Sequence, residues 1–374
     1  MKRIAVLDIA ASKTGALSVL RDFAAHISQS GQDNEWIFIT GTDYALKEDE
    51  AAPHLKVRVR SDVKSSRLNR LKFDHLTGCK YLESLRPDLI FSLQNTLPKG
   101  IGKGIKTALY VHQPLGYQNC KDFSLFKKEE REMALYQKLI AREIDSSVKR
   151  ADLVIVQTAW MKEALCRKTG KDGKQVSVIT PDVAKLKNYR DFNIPFRKDL
   201  FIYPAGPILY KNHGLILEAL IELSKRGLDD IKVIFTLKED ELPHLSKLLQ
   251  GEYKGLFQKA IEWRGNIPRQ ELIKLYQEAT LLFPSYIETF GYPPAEARQL
   301  GMPILASDMP FTREVLKGYG NAHYFNPFKP EELSDLMESV RYGKLRPIDI
   351  DALGAETYTN SYSLIEKELL SLIW

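Results

Sequence analysis

The sequence has little cysteine, with only Cys79, Cys120 and Cys166 in 374 residues. They are odd in number and far apart, which argues against a disulfide framework or a cysteine zinc site and fits a reducing compartment. No run of about 18 apolar residues occurs, so no membrane-spanning helix is expected. The opening Met1-Lys-Arg-Ile-Ala-Val-Leu-Asp8 has too short an apolar stretch for a secretory signal and reads as a first buried strand. No Gly-x4-Gly-Lys-Ser/Thr string exists, which excludes a P-loop. Gly100-Ile-Gly-Lys-Gly104 precedes a strand rather than following one, so it is a poor dinucleotide fingerprint. Fixed-period repeats, low-complexity tracts and recognisable nucleic-acid-binding motifs are absent as well.

What is present is the composition of a soluble globular protein, 44% hydrophobic and 27% charged. The length exceeds what one core usually serves and predicts two domains. The formal net charge of +6 is unevenly spread. Lys56 to Lys72 holds seven cations and one acid, and Leu68, Leu71 and Phe73 interleave with Arg67, Arg70 and Lys72. Such a segment suits either an anionic lipid surface or a solvated helix face, and both readings stand.

Short apolar runs alternate with longer amphipathic ones, the pattern of βα units and a mostly parallel α/β sheet. Strands are expected at Ile4–Asp8, Trp36–Thr40, Lys56–Arg60, Asp88–Leu93, Thr107–Val111, Asp152–Val156 and Val176–Thr180. A long helical stretch is expected over Asp122–Arg150. Thr180–Lys198 has two prolines and no periodicity and reads as a linker. A second βα series starts at Leu200–Tyr203, with helices over Asn212–Arg226, Glu241–Leu249 and Arg269–Glu278. The expected domains are residues 1–185, with a final amphipathic helix 361–374 packing back on them, and residues 196–358. Two such halves imply a cleft between them, a usual place for a ligand.

The most informative stretch is Pro284-Ser-Tyr-Ile-Glu288-Thr-Phe-Gly-Tyr-Pro-Pro-Ala-Glu296-Ala. Ala279–Phe283 before it reads as a buried strand, and Ala295–Leu300 after it as a short helix. Pro294 suits the first helical position, Gly301 the residue past the end, and Pro303 blocks continuation. Glu288 then lies on the loop leaving the strand and Glu296 in the first helical turn. Open α/β sheets bind ligands at such strand-to-helix crossovers. Gly291 lets a backbone approach a ligand closely, and free N–H groups at the helix start favour a diphosphate. Taken singly, Glu288 is an ordinary loop acid and Glu296 a carboxylate complementing a helix dipole.

The whole string resembles the signature of retaining glycosyltransferases of the GT-B fold and GT4 type, the group 1 glycosyltransferases. The resemblance extends from Arg264-Gly265 through Ala297, and on to Gly301-Met-Pro-Ile-Leu-Ala-Ser307 and Glu314-Val315. Tyr203-Pro-Ala-Gly206 with Lys211-Asn212-His213 resembles the opening of the family's second domain. Ala151-Asp152-Leu-Val-Ile155 with Thr158, Lys162 and Glu163 resembles a stretch of its first. The implied fold is α/β GT-B, two Rossmann-like domains whose parallel sheets face a deep interdomain cleft. The N-terminal domain would bind the acceptor and the C-terminal domain the nucleotide sugar.

Residue by residue, the resemblance implies Glu288 near the anomeric carbon of the donor sugar and Glu296 on the ribose hydroxyls. Lys211 would neutralise the diphosphate. The backbone at Thr289, Phe290 and Gly291 would hold sugar and phosphate. Gly15 would face the diphosphate from the first domain, and His112 would lie near the donor sugar. Each has a plainer reading as well: a solvated lysine, a hydrogen-bonded strand-end histidine, a single turn glycine. The chain departs from the family at Gly206, where many relatives carry an arginine, and after His112, where Gln113-Pro114 follows.

The expected activity is transfer of a sugar from a nucleotide-diphosphate donor, such as a GDP- or UDP-sugar, to a saccharide or lipid-linked saccharide acceptor. Retention of configuration and a role in surface-polysaccharide assembly are implied. Lys211 and a helix end would supply the positive charge that the leaving diphosphate needs, so no metal is expected. Asp349-Ile-Asp351 looks like a metal-binding Asp-x-Asp, but it lies beyond the second α/β series and reads as chance. A cytoplasmic location, with peripheral contact at the inner membrane face, fits the basic segment. The alternative is a GT-B scaffold without catalysis that binds a membrane or partner, for which Gly206 is the hint.

Overall fold

The computed structural model describes every residue except 12–13, 31–32, 47–51 and 350–359. It divides into two compact units. One comprises Met1–Asn119, Met133–Asp182 and Tyr358–Trp374, and the other Cys120–Glu132 and Val183–Thr357.

The first unit is built on β1 (Arg3–Asp8), β2 (Glu35–Thr40), β3 (Leu55–Val59), β4 (Leu89–Ser92), β5 (Lys106–Val111), β6 (Leu153–Val156) and β7 (Val176–Val178). They form a seven-stranded sheet in the order β3-β2-β1-β4-β5-β6-β7. All of its pairings are parallel. Parallel sheets are covered on both faces, and their strands read as apolar runs rather than alternating ones. Accordingly, β4 and β6 are buried at every position. On one face Phe23 packs edge-on to Trp36 and Phe91, at 5.9 and 5.6 Å between ring centres. Ile365 and Leu369 of the last helix, Ser361–Leu370, join this core. Asn360 caps that helix through the Ser363 N–H, and the backbone N–H and hydroxyl of Ser361 both donate to Asp182. The ring of His26 meets Glu366 at 2.9 Å.

The second unit holds β8 (Leu200–Tyr203), β9 (Lys232–Phe235), β10 (Ile261–Trp263), β11 (Thr280–Phe283), β12 (Ile304–Ser307) and β13 (Ala322–Phe325). The order is β10-β9-β8-β11-β12-β13, again wholly parallel. From β8 the chain first adds strands on one side, then returns to add β11 on the other. That reversal makes the carboxyl ends of β8 and β11 the topological switch point, where doubly wound sheets take their ligands.

Three expected elements differ. The helix expected over Asp122–Arg150 begins only at Arg131. Before it, Phe123 is fully buried, Glu130 accepts from the Ser124 N–H, and the Ser124 hydroxyl accepts from the Phe126 N–H. These side-chain bonds offer the backbone an alternative to the helix. The helix expected over Glu241–Leu249 is regular only from Ser246, because Pro243 lacks the N–H that a continuous helix needs. The helix after Glu288 starts early, at Tyr292 rather than near Pro294. Gly291, at φ +105°, turns the chain into it, and Pro293 and Pro294 sit in a first turn where an N–H is not needed.

Candidate active site

The switch point of the second sheet collects most of the residues singled out in the sequence. The loop leaving β8 ends in a short turn, Leu209–Lys211, followed by Asn212 in the left-handed conformation and the helix His213–Lys225. The loop leaving β11 runs through Glu288 to Gly291. Several bonds fasten the two loops together. The Tyr203 hydroxyl donates to the Lys211 carbonyl at 2.6 Å and lies 2.8 Å from the Ser285 hydroxyl. The Asn212 amide donates to the carbonyls of Pro284 and Pro327, and the Tyr286 N–H donates to the Tyr210 carbonyl. Ser307, at the end of β12, donates to the Ser285 carbonyl at 2.5 Å.

This frame brings Lys211 and Glu288 into a direct ion pair between Nζ and Oε1. Their side chains are only 19% and 16% exposed. At that burial a charge with no partner is costly, so each requires the other or a ligand. A cation and a carboxylate held together at a switch point offer an anion site beside an acid.

Glu296 is buried, its side chain 7% exposed, and its Oε1 lies 2.6 Å from the Arg269 guanidinium. The fully buried Tyr276 hydroxyl neighbours the same carboxylate. Burial and the Glu296 charge together hold that phenol far above its usual range. Because the helix starts at Tyr292, Glu296 is not in its first turn, and that turn carries no acid. Complementing the dipole therefore does not account for Glu296, and the expectation that placed it there is corrected. Arg269 was not singled out in the sequence. One signal existed: a cation opening the helix Arg269–Glu278 opposes the dipole and so asks for a partner.

Thr289 is half-buried and Phe290 buried, on the loop between Glu288 and Gly291. A Cβ on Gly291 would meet the Phe283 ring at 3.3 Å, and its positive φ disfavours any other residue. Gly206 is exposed on the loop after β8, with nothing within 4 Å of an added Cβ. His213 is buried between the Tyr203 and Phe235 rings, and burial with the nearby His244 and Lys211 charges pushes its imidazole down to about 3. It is a core histidine.

Gly15 and His112 belong to the first unit. Gly15 is the second residue of the helix Thr14–Ser30 and is exposed, so it is not the turn glycine of its plainer reading. His112 follows β5. Its backbone N–H donates to the Asn95 Oδ1 at 2.7 Å, and its Nε2 lies 3.3 Å from the Asn95 Nδ2. Its Nδ1 is shut off from solvent and has no hydrogen-bond partner among the described residues. Burial pushes the ring down to about 4, so it is neutral near neutral pH. Of the Asp-x-Asp string, residues 350 and 351 lie outside the described residues. Among those described, no helix is long and apolar enough to cross a membrane.

Residues 186–343 match the family described as glycosyl transferases group 1. The O-antigen chain mannosyltransferase RfbU of Salmonella typhimurium is 27% identical over 183 residues, 48% of this chain and 48% of that protein. The serotype-specific mannosyltransferase WbdA of Escherichia coli is 27% identical over 236 residues, 60% of this chain and 27% of that protein. The chain thus spans about half the length of the first of these curated relatives and about a quarter of the second. Among solved structures, Anabaena HepE in complex with UDP and glucose superposes with a TM-score of 0.62 at 14% identity, over 100% of this chain and 97% of that one.

Proposed function

We propose, on the premise that residues 186–343 are a group 1 glycosyl transferase domain in a chain of the GT-B fold, that the protein moves a hexose from a nucleoside-diphosphate sugar to a saccharide acceptor. Mannose is the favoured sugar, because both curated relatives named above are mannosyltransferases. A GDP-sugar is the favoured donor, with UDP-sugars the next to try. The acceptor is read as lipid-linked, the product as surface polysaccharide of the O-antigen or capsule kind, and the anomeric configuration as retained. The protein would work in the cytoplasm, in peripheral contact with the membrane that carries its acceptor.

The observation that carries this reading is the Lys211–Glu288 pair at the sheet's switch point. As the sugar departs, negative charge collects on the diphosphate and positive charge on the anomeric carbon. A fixed ammonium beside the first and a fixed carboxylate beside the second stabilise that separation more than they stabilise the intact donor. Lys211 fills the cationic role without a metal in this reading. Glu296, held against Arg269, is read as the acceptor for the ribose hydroxyls.

A thermal-shift panel of GDP, UDP, dTDP, ADP and CMP with their sugar conjugates tests the proposal. The cognate ligand at about 100 times its dissociation constant stabilises the fold by roughly 2.7 kcal/mol. A shift from one nucleotide, with transfer of its sugar and an unchanged anomeric configuration in the product, is the expected result. No shift from any nucleotide sugar overturns it and leaves the scaffold reading.

Gly206 bears on the same question. Its open surroundings leave room for the arginine found in many relatives. Gly206→Arg is expected to fold with an unchanged melting temperature and to tighten nucleotide binding by roughly tenfold, the worth of one charge-assisted contact. Calorimetric titration reads it. An unchanged affinity would show that the diphosphate does not extend to this position.

A further inference from the structure

We infer that the exposed stripe along the helical run 67–84 of the first unit docks the protein on a bilayer containing anionic lipid. This deepens the proposed function, since it rests on the reading that the acceptor is held in a membrane.

The run consists of Arg67–Lys72, one wider turn Phe73–Thr77, and Gly78–Ser84. Its inner side is anchored by Phe73 and Leu82, both almost fully buried. Phe73 therefore does not belong to the outer surface, contrary to what the sequence suggested. Arg60 is laid over the rings of Phe73 and Tyr81, at 5.3 and 4.3 Å. The outer side carries Leu68, Leu71 and Leu76, which are 77%, 52% and 67% exposed. Arg67, Lys72 and Lys80 are exposed among them. Leu68, Lys72, Leu76 and Lys80 recur every fourth residue, so leucine and lysine alternate along one stripe.

Charge decides the occupant. The run 67–84 has two acids: Glu83, which is half-buried and accepts from the Gly102 N–H at 2.9 Å, and Asp74. The Asp74 carboxylate is half-buried and bound to Arg70 at 2.8 Å. The outer stripe is therefore cationic and apolar with no exposed acid. A protein partner favours a contiguous apolar centre depleted of lysine. A bilayer favours this alternation, because leucines enter the acyl boundary while lysines lay their stems on it and hold their charges at the headgroups. Anionic headgroups complete the pairing.

The test is sedimentation of the full-length protein with vesicles of phosphatidylcholine, with and without phosphatidylglycerol, at low and high salt. The wild type is expected to pellet with the anionic vesicles at low salt and to lose about tenfold in partitioning at high salt. The double variant Leu68→Glu with Leu76→Glu, and separately Lys72→Glu with Lys80→Glu, are expected to lose about tenfold at low salt. Leu139→Glu, which changes a leucine 50% exposed elsewhere on the same unit, is the matched control and is expected to bind as wild type. All of these positions are exposed, so the variants should melt with the wild type. Failure of the wild type to bind anionic vesicles, or wild-type binding by both double variants, overturns the inference. The nucleotide thermal shift is run on the same preparations, so failure of the donor reading is seen separately.

Discussion

Glu288→Ala is expected to lower sugar transfer by roughly three orders of magnitude while leaving nucleotide binding intact or tighter. The asymmetry follows from the ion pair. Lys211 is paired with Glu288, so a diphosphate bound there, as proposed, would compete with that carboxylate for the ammonium. Removing the carboxylate removes the competitor and leaves a cation that is only 19% exposed with a stronger need for an anion. Under the proposed function the same change also removes the carboxylate expected beside the anomeric carbon, and with it the stabilisation of the charge that would build there. Lys211→Ala has the opposite signature, with nucleotide binding and transfer lost together. The frame around the pair should survive both changes. It is made by Tyr203, Asn212 and Ser307 bonding to backbone carbonyls, not by the pair itself. Single-turnover transfer and calorimetric titration of the two variants separate the cases. Full activity in Glu288→Ala would show that the reacting centre lies elsewhere.

Much of this was legible in the sequence because parallel sheets write themselves plainly. β8 at Leu200–Tyr203 and the helix Arg269–Glu278 fall where apolar runs and periodicity put them. Boundaries shifted where a side chain or a proline intervened. Pro243 delayed one helix, and Gly291 with two following prolines advanced another. The segment Cys120–Glu132 was illegible for a different reason. Its charges suit a helix, but Phe123 is buried and Glu130 turns back to the Ser124 N–H, uses that the charge pattern does not encode, and it is grouped with the second unit. The site divides in the same way. Glu288 and Lys211 lie 77 residues apart. Nothing in the spacing of either predicts the pair, and only the resemblance to a family singled out both. Arg269 lies within the resembling stretch but is given no role by it; its one sequence signal is a cation at a helix start, and only the geometry supplies Glu296 as its partner.

Arg269 gives Glu296 its own expected result. Glu296→Gln should weaken nucleotide affinity by roughly 10- to 100-fold, the worth of about 1.5–3 kcal/mol for a hydrogen bond to a charged group, with little loss of turnover once donor is saturating. A glutamine keeps the size of the side chain and one acceptor for the guanidinium, so packing against Tyr276 survives. It gives up the charge that two ribose hydroxyls would share. The Glu296 carboxylate is buried, paired at 2.6 Å with Arg269, and close enough to Tyr276 to help hold that phenol protonated. Arg269 is 45% exposed, so the guanidinium stays solvated on its outer side and fixes the carboxylate without sealing it. A ligand then meets an acceptor already oriented, and less ordering is required on binding. The measurement is the split between KM and kcat for the donor. A rise in KM alone supports ribose binding by Glu296. An equal fall in kcat and kcat/KM would instead place Glu296 among the groups that act on the transition state, and the division of labour between the two glutamates would have to be redrawn.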